Sequence, residues 1–275
     1  MKVLIIGLGS IAKKHINALL KINPNCTIYA LRSSKTASNY LNVINVFDIA
    51  DVKTIELDFI IISSPTSLHL NDINRCLIFK RPLLIEKPAF DTLEIGDLLF
   101  KAALTPNYIG CNLRFLESIA FVKDFVTKNS SLKVNEVNVY SGSYLPDWRP
   151  GTNFKEGYSA DATRGGGVHL DLIHEMDYLV WIFGLPNQST KKLRSTSHLN
   201  INAADYANFV LEYDQFTASV VLNYYRRDAK REFEIVFDQC TIKVDLNKNL
   251  VTKNGEVIFN SEQTILDTYT KQMKY

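Results

Sequence analysis

A short, mostly apolar run, Lys2–Ile6, leads straight into Gly7-Leu8-Gly9-Ser10-Ile11-Ala12, and an amphipathic stretch then continues to Ile22. Few folds accept strand, tight turn and helix at this spacing. The first glycine allows the tight turn, and the second lets a ligand's pyrophosphate approach the backbone. The small Ala12 lets the helix pack on the strand, with a phosphate at the helix N-terminus. Gly7, Gly9, Ser10, Ile11 and Ala12 therefore read as a dinucleotide-binding turn, G-x-G-x-x-A, opening a βαβ chain.

The pattern that follows agrees with this turn. Strand-like runs at Lys2–Ile6, Thr27–Leu31, Asn42–Val46, Asp58–Ser63, Leu83–Glu86 and Tyr108–Gly110 are short and almost wholly apolar. Strands buried on both faces of a parallel sheet have this composition. Helix-like stretches at Ile11–Ile22, Ser67–Lys80 and Thr92–Ala103 lie between them. Alternating β and α predicts a doubly wound α/β Rossmann domain over residues 1–113. Residues 114–275 read differently. A helix at Glu117–Lys128, a strand at Val134–Ser143 and a helix from Val168 to Phe183 precede a run of strands. These strands are expected at His198–Asn202, Tyr206–Tyr213, Phe216–Tyr225, Arg231–Phe237, Thr241–Asp245, Leu250–Thr252 and Val257–Phe259, a pattern that predicts an α+β domain. Its sheet should be open and mainly antiparallel, with helices on one face.

Composition removes several function classes. Over 275 residues, 31 Lys and Arg against 29 Asp and Glu leave a net charge of only +2. A nucleic-acid or anionic-membrane binder needs a basic excess. No apolar run reaches the ~18–20 residues of a membrane span. Cys26, Cys76, Cys111 and Cys240 are scattered, which suggests buried thiols in a reducing cytoplasm and no metal site.

The second strand ends Ala30-Leu31-Arg32-Ser33-Ser34-Lys35, with no carboxylate to bind the ribose hydroxyls of NAD. Arg32 can stack on adenine and, with Ser33, Ser34 and Lys35, contact a 2′-phosphate. This favours NADP(H) over NAD(H).

Two further segments carry chemistry. Glu86-Lys87-Pro88 lies at the C-terminal end of the fifth strand, where open α/β sheets bind ligands. Lys87 there can hydrogen-bond a substrate oxygen and exchange its proton, with Glu86 holding the ammonium. The other segment is Gly165-Gly166-Gly167-Val168-His169-Leu170-Asp171-Leu172-Ile173-His174-Glu175-Met176-Asp177. On one helix Asp171 and His174 are i and i+3 and share a face. An imidazole one turn from a carboxylate suits general acid/base work.

Together and in this order, the three motifs resemble the Gfo/Idh/MocA family, the relatives of glucose–fructose oxidoreductase and inositol dehydrogenase. The likeness extends over nearly the whole chain. Gly7 to Ala12 with His15 resembles the family's first turn, and Ser63-Ser64-Pro65-Thr66 with His69 its loop beside the nicotinamide. Glu86-Lys87-Pro88 resembles its E-K-P signature, with a catalytic Lys and a Pro bond that is often cis. Gly165 through Asp171, His174 and Asp177 resembles its substrate-binding helix. Asn112 and Arg114 lie where the family crosses into its substrate domain. The resemblance implies hydride transfer between a nicotinamide and a secondary hydroxyl or ketone of a sugar or nucleotide sugar. Lys87 and His174 would then handle the hydroxyl proton, and Asp171 would orient His174 or bind a hydroxyl. Tyr144, Trp148, Arg149 and Tyr158 would help wall the pocket.

The sequence departs from the family pattern in two places. Many members space the helix Asp and His at i, i+4, whereas here the spacing is i, i+3. Together with the Gly-Leu-Gly-Ser-Ile start and the Tyr-Leu-Pro-Asp-Trp-Arg-Pro loop, it resembles a branch linked to surface-polysaccharide and acylneuraminate-type sugars. Members also usually carry returning helices after the last strands, and this chain ends at Tyr275. Two rival readings therefore stand beside the sugar dehydrogenase. One is a reductase of a non-sugar substrate on the same fold. The other is a non-catalytic dinucleotide sensor or truncated paralogue. An open sheet face and the family resemblance also predict a homo-oligomer, a dimer or tetramer, formed through the C-terminal sheet.

Overall fold

The computed structural model describes residues 1–35 and 39–275, with backbone only at 99 and 100. The chain divides into two compact units. One is Met1–Cys111 with Leu266–Tyr275, and the other is Asn112–Ile265.

The first unit contains Lys2–Ile6 (β1), Ser10–Ile22 (α1), Thr27–Leu31 (β2), Ile44–Val46 (β3), Phe59–Ile62 (β4), Thr66–Cys76 (α2), Leu83–Ile85 (β5), Leu98–Ala102 (α3) and Asn107–Ile109 (β6). All six strands are parallel, in the order β3-β2-β1-β4-β5-β6. The order reverses between β1 and β4, which opens a crevice at their carboxyl ends. The apolar runs are continuous because successive side chains enter different cores. Val3 and Ile5 of β1 pack with Ala12, Ile16 and Leu19 of α1. Leu4 and Ile6 pack on the other face with Ile60, Ile62 and Ile73. The expected Thr92–Ala103 helix is shorter and runs only Leu98–Ala102.

The second unit contains Glu117–Lys128 (α4), Val134–Tyr144 (β7), Val168–Asp171 (α5), His174–Phe183 (α6), Gln188–Arg194 (β8), Tyr206–Glu212 (β9), Thr217–Asn223 (β10), Tyr225–Phe237 (β11), Thr241–Asp245 (β12), Leu250–Lys253 (β13) and Glu256–Asn260 (β14). One eight-stranded sheet runs β14-β13-β12-β11-β7-β10-β9-β8. It is mainly antiparallel, but β7 and β10 pair in parallel, because α5, α6, β8 and β9 intervene before β10 lies beside β7. The core joins Ile119 and Val122 of α4 and Tyr178 and Leu179 of α6 to Val137, Val139, Val220, Leu222, Phe233 and Ile235 of the strands.

Three expectations are corrected. His198–Asn202 is not a strand, and the edge strand is Gln188–Arg194. Its sequence, QSTKKLR, is too polar to read as a strand, and lysines of this kind blunt an exposed sheet edge. The Val168–Phe183 helix is two helices, α5 and α6, because Leu172 leaves helical geometry at φ −100 and ψ 31. The division at 113/114 is also revised. After β14 the chain forms a terminal helix, Ile265–Lys274 (α7), and residues from Leu266 on belong to the nucleotide-side unit. A returning helix is therefore present. It is amphipathic and buries Thr268, Tyr269 and Gln272, while Met273 packs into the α1 core. Among the described residues, no helix is long and apolar enough to cross a membrane.

Candidate active site

On the nucleotide-side unit the site begins at the end of β1. Gly7 sits at φ +84, a region that side-chain-bearing residues rarely adopt. A Cβ there would lie 3.2 Å from the Ser63 carbonyl oxygen and the Ser64 backbone. Only glycine lets the turns after β1 and β4 approach this closely. The Gly7 N–H donates to Leu31 O at 3.0 Å and the Ser63 hydroxyl to Ile6 O at 3.1 Å, so the ends of β1, β2 and β4 are fastened together. A Cβ on Gly9, the N-cap of α1, would meet nothing within 4 Å, and no acidic residue lies in the helix's first turn. An open helix N-terminus free of carboxylates suits a pyrophosphate. Ser10, Ile11 and Ala12 form the first turn of this helix.

Arg32 follows β2. Its backbone N–H bonds Val46 O at 2.9 Å, and Nη1 donates to Asn45 Oδ1 at 3.2 Å. Ser33, Ser34 and Lys35 are exposed, with Lys35 Nζ 5.8 Å from the Phe47 ring centroid.

The loop after β4 and the turn after β5 meet at His69. Its Nε2 lies 2.9 Å from Ser64 O, and its Nδ1 lies 3.1 Å from both Pro88 O and Ala89 O. Ser64 donates to Asp72 Oδ2 at 2.6 Å, and Pro65 caps α2 ahead of the buried Thr66. The Lys87–Pro88 peptide is cis. Glu86 is buried, and its Oε1 lies 2.6 Å from His15 Nε2. Its other oxygen accepts the Lys87 backbone N–H at 3.2 Å, so Glu86 reaches Lys87 through the main chain. Burial alone would raise the Glu86 carboxyl. The His15 hydrogen bond and the nearby charges of His15 and Lys87 outweigh it and hold the group below its usual range.

On the other unit, Asp171 at the end of α5 accepts hydroxyl hydrogen bonds from Tyr158 and, at 2.5 Å, from Tyr224. Tyr224 carries no motif that marks it in the sequence. It falls in a strand-rich stretch, and only pairing with distant strands shows where it points. Burial, then the negative Asp171, pushes its hydroxyl well above the usual tyrosine range, so it stays a donor. Gly166 explains how Tyr158 gets there. A Cβ on Gly166 would lie 2.1 Å from Tyr158 O and 2.7 Å from Asp161 O, so only glycine lets the 158–161 turn rest on the start of α5. Trp148 stands edge-on to Tyr224 at 5.3 Å and donates to Ser143 Oγ at 2.8 Å. Tyr144, which pairs with Tyr225, makes other side-chain contacts. It stacks on His198 and takes Arg227 over its ring at 4.2 Å. Arg149 is exposed, and its carbonyl accepts from Thr152.

His174 opens α6 and is buried, on a different helix from Asp171. Asp177 takes a two-pronged bond from Arg114, at 2.9 and 2.6 Å. Asn112 is buried in the 3₁₀ turn that also carries Arg114. Neighbouring Glu175 is fully buried and accepts from Arg231 Nε at 2.6 Å. His169 is drawn below the usual histidine range by burial, then by the charge of Lys191. Among the described residues, no group of three or more His, Cys, Asp or Glu is placed to hold a metal ion.

Comparison with known proteins gives this arrangement a family. Residues 1–107 match a model described as oxidoreductase family, NAD-binding Rossmann fold, and residues 129–243 match the GFO/IDH/MocA C-terminal domain. The scyllo-inositol 2-dehydrogenase (NADP(+)) IolW of Bacillus subtilis is 23% identical over 165 residues, 59% of this chain but only 44% of that protein. The match thus takes in less than half of that relative. The WlbA dehydrogenase of Bordetella pertussis, solved with NADH and UDP-GlcNAcA, superposes with a TM-score of 0.79 at 15% identity, covering 100% of this chain and 82% of the other. The myo-inositol 2-dehydrogenase of Lactobacillus plantarum superposes at 0.80 with 19% identity, covering 100% and 87%. With both of its halves matched by that family's two domain models, the chain belongs to the Gfo/Idh/MocA family of oxidoreductases.

Proposed function

We propose that this chain is a dehydrogenase or reductase that uses NADP(H) in preference to NAD(H), acting on a secondary hydroxyl or ketone of a sugar, nucleotide sugar or cyclic polyol. One observation carries the reading. Lys87 stands at the carboxyl end of β5, and its turn is tied through Glu86 to His15, five residues past Ser10, where α1 starts. A proton-handling group is thereby fastened to the dinucleotide turn. The left-handed Gly7, the open N-terminus of α1 and the missing acid after β2 all fit a dinucleotide. Relatives acting on inositol with NADP(+), or holding NADH and a UDP sugar acid, support the substrate class.

The nicotinamide cofactor would supply the hydride chemistry. Gly7, Gly9 and residues Ser10–Ala12 would hold its pyrophosphate. Arg32, Ser33, Ser34 and Lys35 would receive the 2′-phosphate. Residues Ser63–Thr66, His69 and Glu86 would line its nicotinamide end. Lys87 would hydrogen-bond the reacting oxygen and exchange its proton, and His174 would serve as the second acid/base. Asp171 accepts two phenol hydrogen bonds, so it is suited to fixing Tyr158 and neighbouring groups. Asn112, Arg114, Tyr144, Trp148, Arg149 and Tyr158 would contact the substrate.

A cytoplasmic homo-oligomer is part of the same proposal. The sheet face opposite the helices carries half-buried Tyr140, Asn208, Val210 and Val221. Asn208 Oδ1 and Asn223 Oδ1 are buried there without a hydrogen-bond partner among the described residues. A second copy would cover that face, and light scattering showing a monomer at working concentration would remove this part.

The test is a fluorescence titration with NADPH and NADH, followed by turnover with scyllo-inositol and UDP-N-acetylglucosamine-type sugars. Wild-type protein should bind NADPH more tightly. Arg32→Ala should reduce that preference about tenfold, the loss of one charge-assisted phosphate contact. Lys87→Ala should keep nucleotide binding and lose turnover. A folded chain that binds neither nucleotide would sink the proposal.

A further inference from the structure

The terminal helix α7 lies against the same side chains that secure the Lys87 turn. Tyr269 on α7 is buried, and its ring meets the His15 ring edge-on, with centroids 5.4 Å apart and planes at 75°. His15 is itself fully buried. Its Nδ1 has no hydrogen-bond partner among the described residues, so the ring is held by hydrogen bonding only at Nε2, 2.6 Å from Glu86 Oε1. One hydrogen bond cannot stop an imidazole from pivoting about that bond, so the aromatic edge of Tyr269 supplies the missing restraint. Glu86 then passes the restraint on, because its second oxygen holds the Lys87 N–H.

Lys14, the residue before His15, lies over the same ring, its ammonium 5.3 Å from the Tyr269 centroid. Burial lowers its titration below the ordinary lysine range, the Glu86 charge acts in the opposite sense, and the Lys87 charge lowers it further. Lys14 therefore senses both members of the Glu86–Lys87 turn, and the ring that braces His15 also shields Lys14 from water. The helix is anchored elsewhere by Met273 in the α1 core and by the exposed Lys21–Asp267 pair at 3.4 Å.

We propose that Tyr269 on the terminal helix is a positioning residue for Lys87, acting through His15 and Glu86. This rests on the reading of Lys87 as the proton-handling group. It makes the last helix part of the site's support, although no residue of α7 belongs to any of the motifs.

Competitive labelling of lysines with acetic anhydride tests the proposal on the full chain. It is run from about pH 7 to 11, the range over which lysines titrate, and is read peptide by peptide by mass spectrometry. Tyr269→Leu should raise the Lys14 titration toward the ordinary lysine value as water reaches it. It should also change the labelling of Lys87 about threefold or more, the effect of a half-unit shift. Tyr269→Phe keeps the ring and should leave both lysines unchanged. Met273→Ala loosens the same helix without touching His15 and should leave Lys87 unchanged. Should Tyr269→Leu fail to fold, Tyr269→Met fills the site without an aromatic edge and is read in the same way. Unchanged Lys87 labelling in the Tyr269 variant, or an equal change in Met273→Ala, would overturn the proposal. The labelling needs neither nucleotide nor substrate, so its outcome is independent of the NADPH titration that tests the oxidoreductase reading.

Discussion

Glu86 and Asp171 are buried carboxylates at the two candidate sites, one on each unit, and they are held in opposite ways. Glu86 is met by an imidazole and a backbone N–H, with two lysine charges near, and its proton is held weakly. Asp171 is met by two phenol hydroxyls, of which Tyr224 holds its own proton tightly. The first arrangement is electrostatic and sits at the end of a strand. The second is a hydrogen-bond assembly drawn from three segments, Tyr158 in the 3₁₀ turn Tyr158–Ala160, Asp171 on α5 and Tyr224 between β10 and β11. A carboxylate paired with cations is suited to setting charge beside a reacting group, and one ringed by hydroxyls is suited to fixing their positions.

Replacement of each carboxylate by an apolar residue separates the two modes most strongly. Glu86→Leu removes one partner of a buried ionic cluster and should destabilise the chain by about 3–5 kcal/mol in urea unfolding. Asp171→Leu leaves the buried Tyr224 hydroxyl without its acceptor and disturbs Tyr158, for an expected loss of about 2–3 kcal/mol. Equal losses would mean that the two sites do not differ in kind.

Tyr224→Phe is gentler. It removes one hydrogen bond to a charged acceptor and should cost about 1.5–3 kcal/mol, at or below the Asp171→Leu value. A larger loss would show that the hydroxyl does more than bond Asp171, for instance through its second partner, Ser159.

The smallest expected effects lie in the pH dependence, and they fall at opposite ends of the scale. Glu86 titrates lower in the folded chain than its unfolded value of about 4.3. Its contribution is therefore complete above that value and is lost as pH falls through the lower folded one. Tyr224 titrates higher in the folded chain than the unfolded value of about 10. Above that pH the unfolded state releases a proton that the folded state keeps, so stability falls as pH rises. Thermal melts should show Glu86→Gln flattening the acid limb and Tyr224→Phe the alkaline limb. Reversed assignments would refute the contrast.

The two regions were not equally legible in the sequence. The dinucleotide turn, the six parallel strands and Glu86-Lys87-Pro88 could be read from neighbouring residues. Buried parallel strands are apolar on both faces, and a left-handed turn before a helix needs Gly7. The periodicity marks the helical segment that carries Asp171 and His174 but not its break at Leu172. A helical period shows that residues favour a helix without showing where tertiary contacts interrupt it. Tyr224 gives no local signal because its partner Asp171 lies far away in the chain, and Gln188–Arg194 gives none because it is too polar to read as a strand.

By itself, then, the sequence determined the nucleotide-side sheet, its glycine turn and the identities of most candidate reactive groups, because these follow from backbone geometry and short-range periodicity. The tertiary structure alone brought two tyrosines onto Asp171, paired β7 in parallel with β10, and set the Tyr269 ring edge-on to His15. Each of these joins residues of different elements, most of them far apart in the chain. Such contacts depend on which surfaces remain to be buried once the local elements have formed, and no window of neighbouring residues contains that information.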